Sequence, residues 1–168
     1  MKVFCAVGNM DRDFNRFVRK IADLDNSPNY QIIFQSGYSS TNHFEWKRTE
    51  IHPFMSSSEF KRCIIEADLV ICHAGVGVIT DCLKQKKMPI IMTRSVEFKE
   101  HVNDHQVDFA SRYAAEGLFH LMNDKTDIIN YIQNIDLSVT PQREFIHDLA
   151  GLRSNIHHFL REKLNKCP

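Results

Sequence analysis

The chain has 168 residues, 43% of them hydrophobic and 25% charged, which suits one soluble globular domain with a real core. Lys plus Arg and Asp plus Glu both number 21, so the formal net charge is zero, and the bulk positive charge that nucleic-acid binding needs is missing.

Residues 3–7 read as a buried strand and 8–11 as a turn. Phe14, Phe17, Val18, Ile21 and Leu24 then recur at helical spacing on one apolar face, and Asn26-Ser27-Pro28-Asn29 breaks that helix. A second strand over 30–35 leads into a polar loop over 36–42, and a weaker strand is expected over 46–54. Ser56, Ser57 and Ser58 followed by Glu59 signal the start of a helix that runs to about Glu66, with Phe60, Ile64 and Ile65 inward. An apolar strand over 69–72, a helix over 77–86, a short strand over 88–92 and a charged loop over 97–103 come next. A helix over 104–115, a strand over 118–121 and a helix over 127–135 follow. Residues 141–165 form a long amphipathic pattern with Phe145, Leu149, Leu152, Ile156, Phe159 and Leu160 on one face, a stripe that reads either as core or as a docking element. Arg12, Arg16, Arg19 and Lys20 on the first helix, and Lys84, Lys86 and Lys87 at the end of another, read as solvated faces.

Strands alternate with helices throughout, which predicts an α/β fold: one Rossmann-like domain over 1–168, its parallel sheet covered by helices on both faces. Ligands of such sheets bind at the carboxyl ends of strands, near the point where strand order reverses, and both Gly8-Asn9 and residues 73–77 fall at such ends. Cys5, Cys63, Cys72, Cys82 and Cys167 offer no CxxC pair and are odd in number, so neither a disulfide framework nor a zinc site is expected, and a reducing, cytoplasmic compartment is. The apolar run at the N-terminus is too short for a signal peptide, and no stretch approaches the ~20 apolar residues of a membrane span.

The chemistry concentrates in Ala67-Asp68-Leu69-Val70-Ile71-Cys72-His73-Ala74-Gly75-Val76-Gly77-Val78-Ile79-Thr80-Asp81. A buried strand ends in two glycines spaced one apart, and a helix starts at once. Without a Cβ, the backbone there admits a close ligand, and the first N–H groups of the helix point outward, unpaired and partly positive. That arrangement suits a diphosphate. It does not match a dinucleotide fingerprint, because the first turn holds only Gly8 and Thr80 stands where a third glycine would follow Gly75 and Gly77; a P-loop is absent as well.

Three further stretches complete the block: Lys87-Met88-Pro89-Ile90-Ile91, Arg94, and Glu100-His101-Val102-Asn103-Asp104-His105-Gln106. Together with the glycine segment, and in this order, they resemble the glycosyltransferase family 28 C-terminal domain, the donor half of GT-B glycosyltransferases. The likeness covers roughly residues 1–122 and points to the small subunits of two-part UDP-sugar transferases. One such branch is the PssE-type exopolysaccharide and capsule subunit; the other is the catalytic subunit of the eukaryotic dolichol-pathway UDP-N-acetylglucosamine transferase. The chain departs from the pattern at Asn9-Met10, where the family usually has two threonines. Met10 cannot donate a hydrogen bond, so the contacts of the first loop are open.

The resemblance implies roles by position. The backbone of Gly8, Asn9, Gly75, Val76 and Gly77 would face the diphosphate, with His73 beside them, and Asp81 would accept from ribose hydroxyls. Phe54 and Met55 would lie near the uracil; Glu100, His101, Asp104, His105 and Gln106 would face the donor sugar and phosphates, with His101 or His105 a possible cationic aid to the leaving group. Each also has a plainer reading: His73 as a strand-end histidine, Asp81 as an exposed helix residue, and the 100–106 cluster as a solvated loop. No metal and no cofactor are expected beyond a UDP-sugar donor, and the general base should come from another lobe. The implied function is transfer of a hexose or N-acetylhexosamine to a lipid-linked acceptor, with inversion, together with a membrane-anchored acceptor-binding subunit that recruits the chain to the membrane. A non-catalytic nucleotide-binding module and a self-sufficient homo-oligomeric enzyme are the alternatives.

Overall fold

Six short strands pair in parallel in the order β3-β2-β1-β4-β5-β6. The structure, a computed structural model, describes residues 1–141, Gly151 and Ser154, apart from the side chain of His105. The elements are β1 (Lys2–Ala6), α1 (Asn15–Asp25), β2 (Gln31–Gln35), β3 (Thr49–His52), α2 (Ser57–Glu66), β4 (Leu69–His73), α3 (Val76–Lys84), β5 (Ile90–Met92), α4 (His105–Ala115), β6 (His120–Met122) and α5 (Ile128–Asn134). The amphipathic pattern over 141–165 lies almost wholly outside the described residues.

Alternation along β1 explains the two layers. Phe4 and Ala6 face a core shared with Ile64, Ile79, Leu83 and Phe109 from α2, α3 and α4. Val3 and Cys5 face the other core, with Phe17, Ile21 and Leu24 of α1 and Ile128 and Ile132 of α5. Both faces of the sheet are thus covered by helices, as the alternating pattern predicts. Burying a side chain the size of Phe17 or Leu24 contributes about 1.5–3 kcal/mol, so each layer is held by many such terms. Cys5, Cys63, Cys72 and Cys82 are buried free thiols, small apolar members of these cores.

Several expectations shift for local reasons. The strand expected over 46–54 shrinks to β3 because the buried Asp25 carboxylate takes the N–H groups of Lys47 (2.7 Å) and Arg48 (2.8 Å) and the Thr49 hydroxyl (2.6 Å) before the ladder with β2 begins. Burial alone would raise the pKa of Asp25; those three hydrogen bonds and the Arg48 charge outweigh it and hold the carboxyl below its usual range. Ile65 points outward, 56% exposed, because the inward face of α2 is set by Phe60, Cys63, Ile64 and Ala67, one turn apart. The helix expected over 77–86 instead runs Val76–Lys84 and closes with Lys86 at φ +55. There Lys86 N–H donates to Leu83 (2.9 Å) and Lys87 N–H to Cys82 (3.0 Å), the paired bonds of a Schellman ending. The last strand starts at His120 rather than 118, since Leu118 N–H closes α4 on the Tyr113 carbonyl at 3.1 Å.

The basic clusters are solvated only in part: Arg12, Arg19, Lys84 and Lys86 are exposed, while Arg16, Lys20 and Lys87 are tied down. Lys87 Nζ donates to the carbonyls of Ile64 (2.8 Å), Ile65 (2.7 Å) and Ala67, capping the end of α2. Lys20 Nζ does the same for the carbonyls of Asp124 and Thr126, both at 2.7 Å, and Arg16 pairs with Glu100. Among the described residues no helix is long and apolar enough to cross a membrane.

Candidate functional site

Strand order reverses between β1 and β4, and their carboxyl ends carry Gly8 and His73. After β1, Val7 N–H donates to the Gln35 carbonyl (3.2 Å) and the chain turns at Gly8 with φ +77, a conformation that glycine adopts without strain. The buried carboxamide of Gln35 clasps that turn. Its Oε1 accepts from Gly8 N–H (3.2 Å), and its Nε2 donates to the carbonyls of Gly8 (3.3 Å) and Pro53 (3.0 Å). One side chain at the end of β2 thereby joins the loops after β1 and β3.

The His73 imidazole lies against the two glycines. A Cβ on Gly8 would stand 2.6 Å from His73 Cε1 and 2.7 Å from Nε2, and a Cβ on Gly75 would meet the same two atoms. Nδ1 lies 3.4 Å from the Ala6 carbonyl, which can only accept, so Nδ1 carries the proton in that contact. Burial pushes the His73 pKa down to about 4, helped by the Arg94 charge and opposed by the Ala6 contact. The ring is therefore neutral at pH 7, with Nε2 as a bare acceptor. A folded pKa below the ordinary ~6.5 means that the unfolded chain binds the proton more readily. This contribution to stability is full above pH ~6.5 and is lost as pH falls toward about 4. In urea melts between those pH values, wild type loses stability that His73→Asn keeps; identical pH slopes would refute the neutral, buried ring.

Next in sequence, α3 begins without a side-chain cap. Ile79 is the first residue to close a helical bond, donating to the Gly75 carbonyl at 3.1 Å. Val76, Gly77 and Val78 therefore present N–H groups with no partner among the described residues, and the positive end of the helix dipole adds to them. By contrast α2 is closed by its own box: Glu59 N–H donates to Ser56 Oγ (3.3 Å), and Ser56 N–H donates to Glu59 Oε2 (2.9 Å).

Both helix starts border a cleft of about 460 Å³. Of the residues expected at a site, it gathers Gly8, Asn9, Met55, His73, Gly75, Gly77 and Asp81. Val76 is not among the lining residues; its side chain packs on the core. Asp81 sits one turn into α3 and forms an ion pair with Lys84 at 3.4 Å. Phe54 stands just beside the cleft, 51% exposed, its ring 5.1 Å from that of Tyr38. Sequence reasoning missed Gln35, Ser57, Phe60, Lys61 and Val78, which also line the cleft. Two signals could have found some of them: Gln35 is the polar end of an apolar strand, and Ser57, Phe60 and Lys61 share one helical face.

The segment 100–106 is used differently. Glu100 is buried and bidentate with Arg16, at 3.0 Å (Nε to Oε1) and 2.5 Å (Nη2 to Oε2), and it also accepts from Ser95 N–H at 3.3 Å. Arg94 is 1% exposed and donates to the carbonyls of Arg12 (3.0 Å), Asp13 (3.3 Å) and Val7 (3.2 Å). Its guanidinium carbon lies 4.7 Å from the centre of the Phe14 ring. Asp104 accepts from Val96 N–H (2.9 Å) and Ser95 Oγ (3.3 Å), and Gln106 Oε1 accepts from Arg94 N–H (3.3 Å). Arg94 and Glu100 pin the loop after β5 to the start of α1, Asp104 and Gln106 close that loop on itself, and all four stand outside the lining of the cleft. Burial lowers the His101 pKa and the nearby Arg94 charge adds to this, outweighing the Asn103 contacts, so a cationic His101 is disfavoured at neutral pH. The side chain of His105, the first residue of α4, lies outside the described part. Among the described residues no group of three or more His, Cys, Asp or Glu is placed to hold a metal ion.

A family model for the glycosyltransferase family 28 C-terminal domain matches residues 3–148. The chain belongs to this family. Solved glycosyltransferases share the fold of this family 28 domain. The glycotransferase of kitacinnamycin aligns with a TM-score of 0.61 at 15% identity, covering 94% of this chain and 39% of its own. CalG4, the calicheamicin glycosyltransferase, gives 0.57 at 12% identity, with 97% and 39% covered. MurG of Acinetobacter baumannii gives 0.56 at 15% identity, with 84% and 43% covered. The family 28 domain thus spans about two fifths of the length of these enzymes. No curated protein matches the chain.

Proposed function

We propose that this family 28 domain is the donor-binding subunit of a two-part, inverting glycosyltransferase. It takes a UDP-sugar and, with a membrane-anchored partner that binds a lipid-linked acceptor, transfers a hexose or N-acetylhexosamine during polysaccharide or glycan assembly at the cytoplasmic face of a membrane. The observation that carries this reading is the open start of α3, where Val76, Gly77 and Val78 leave three N–H groups without a partner among the described residues beside a cleft lined by Gly8, Gly75, Gly77 and Val78. A diphosphate satisfies those donors, and preorganised donors of this kind stabilise a departing nucleoside diphosphate without further reorganisation. Asp81, one turn along the same helix, accepts from a ribose diol, and Met55 with Phe54 offers an apolar seat for the base. The domain spans about two fifths of the related enzymes, and in this reading an acceptor-binding lobe outside it would supply the general base. The two-part reading favours a PssE-type subunit or the dolichol-pathway subunit.

Two measurements test it. Calorimetry with UDP, UDP-N-acetylglucosamine, UDP-glucose, UDP-glucuronate, NAD and ATP, each with and without magnesium, should show selective, metal-independent uridine binding. Transfer of labelled sugar to lipid should need both the chain and membranes carrying its partner. Preference for NAD or ATP, or full turnover by the chain alone, would contradict the reading.

Gly77 gives a separate test. A Cβ added there meets nothing within 4 Å and would project into the cleft. Gly77→Ala should raise stability by about 0.5–1 kcal/mol, since glycine in a helix costs that much relative to alanine. The same methyl should weaken UDP binding about tenfold or more by keeping the phosphates off the backbone. A gain in melting temperature with affinity unchanged would show that the ligand does not approach Gly77.

A further inference from the structure

Lys61 lies on the α2 wall of the cleft, beside Ser57 and Phe60 at helical spacing. The Phe60 ring packs edge-on against Phe4 at 5.0 Å, which fixes the facing of that wall. Among the residues lining the cleft, Lys61 is the only Lys or Arg, and His73 is neutral at pH 7. The cations around it are engaged: Arg62 with Glu66, Lys84 with Asp81, and Lys87 with carbonyls at the end of α2. Lys61 is exposed and has no ion pair among the described residues. The charge of α2's own first turn is already met by the Ser56–Glu59 box, so nothing on that helix occupies the ammonium.

We propose that Lys61 is the counter-ion of the donor's diphosphate and the residue by which the cleft distinguishes a nucleoside diphosphate from a monophosphate. The inference rests on the donor-binding reading above. The three N–H groups at the start of α3 suffice for one phosphate; a second phosphate brings added negative charge, and a mobile ammonium on the opposite helix meets it. An exposed cation acting on a ligand charge is screened by salt, so the preference for the diphosphate should fall as ionic strength rises.

Calorimetry on the full chain with UDP, UMP and inorganic pyrophosphate, at low and high salt, tests this with Lys61→Met and Lys61→Arg. Lys61→Met keeps most of the stem and, at an exposed site, leaves the melting temperature unchanged. UDP and pyrophosphate should bind about tenfold more weakly to Lys61→Met with a flatter salt dependence, UMP should bind as to wild type, and Lys61→Arg should restore most of the difference. Equal loss of UDP and UMP affinity, or no loss, would overturn the role of Lys61 while leaving the donor reading intact. If wild type binds pyrophosphate but not UDP, the donor reading and this inference with it fail. If wild type binds neither, both fail at once.

Discussion

Gly75→Ala should weaken UDP binding by about thirtyfold or more and lower stability by about 1–3 kcal/mol, the usual cost of forcing a methyl into packed space. The added Cβ meets the His73 ring at Nε2 and Cε1. The ring has little room to retreat, because Gly8 lies on the same two atoms and Nδ1 is held at the Ala6 carbonyl. Removing the ring should release the clash, so His73→Ala placed in the Gly75→Ala background should cost far less than His73→Ala alone. A double-mutant cycle in urea should give a coupling of at least about 1 kcal/mol in that sense. Gly8→Ala meets the same ring but also forces alanine to φ +77, so His73→Ala should rescue it only in part. Additive effects of Gly75→Ala and His73→Ala would mean that the glycines are there for some reason other than the imidazole.

Arg94→Leu should destabilise the domain by about 3–5 kcal/mol, the range for breaking a buried, hydrogen-bonded charge. The guanidinium ties the end of β1 (Val7) and the approach to α1 (Arg12 and Asp13) to the loop after β5, and the carbonyls it serves are left without that donor when it goes. Glu100, buried beside Arg16, would be left with a single cationic partner. Lysine should not substitute, because one ammonium cannot reach several carbonyls in different directions as the planar fork does. Equilibrium unfolding of Arg94→Leu and Arg94→Lys checks this; a loss under about 1 kcal/mol for either would show that the loop is held by other contacts.

Much of the fold is legible in the chain because periodicity is a direct record of which face is buried. The apolar run of residues 3–7 and the stripe from Phe14 to Leu24 place β1 and α1 within a residue or two. The failures occur where a side chain competes with the backbone. Asp25 shortens β3 from more than twenty residues away in sequence, and no local pattern records that. At the cleft, the glycine pair is readable because a strand that turns straight into a helix calls for glycine there, whereas the place of Asp81 comes only from the family resemblance. Glu100 and Asp104 show the opposite: a run of acids and histidines after a strand reads as a ligand-facing cluster, yet their carboxylates are taken up by Arg16 and by the N–H groups of Ser95 and Val96. The contacts of Arg94 and Gln35 are hidden for the same reason, since their partners are carbonyls that every sequence possesses.

The proposed donor site requires a nucleoside diphosphate to dock on the open start of α3. The most direct measurement is an amide-resolved NMR titration of the full chain with UDP. The largest downfield shifts should fall on the N–H groups of Val76, Gly77 and Val78, with smaller changes at Gly8 and Asp81, and Gly77→Ala should suppress them. Shifts centred instead on the groove along α1 that Arg16, Arg19 and Lys20 line together with Asp23, Glu100 and Asp124, with the start of α3 unmoved, would rule that docking out.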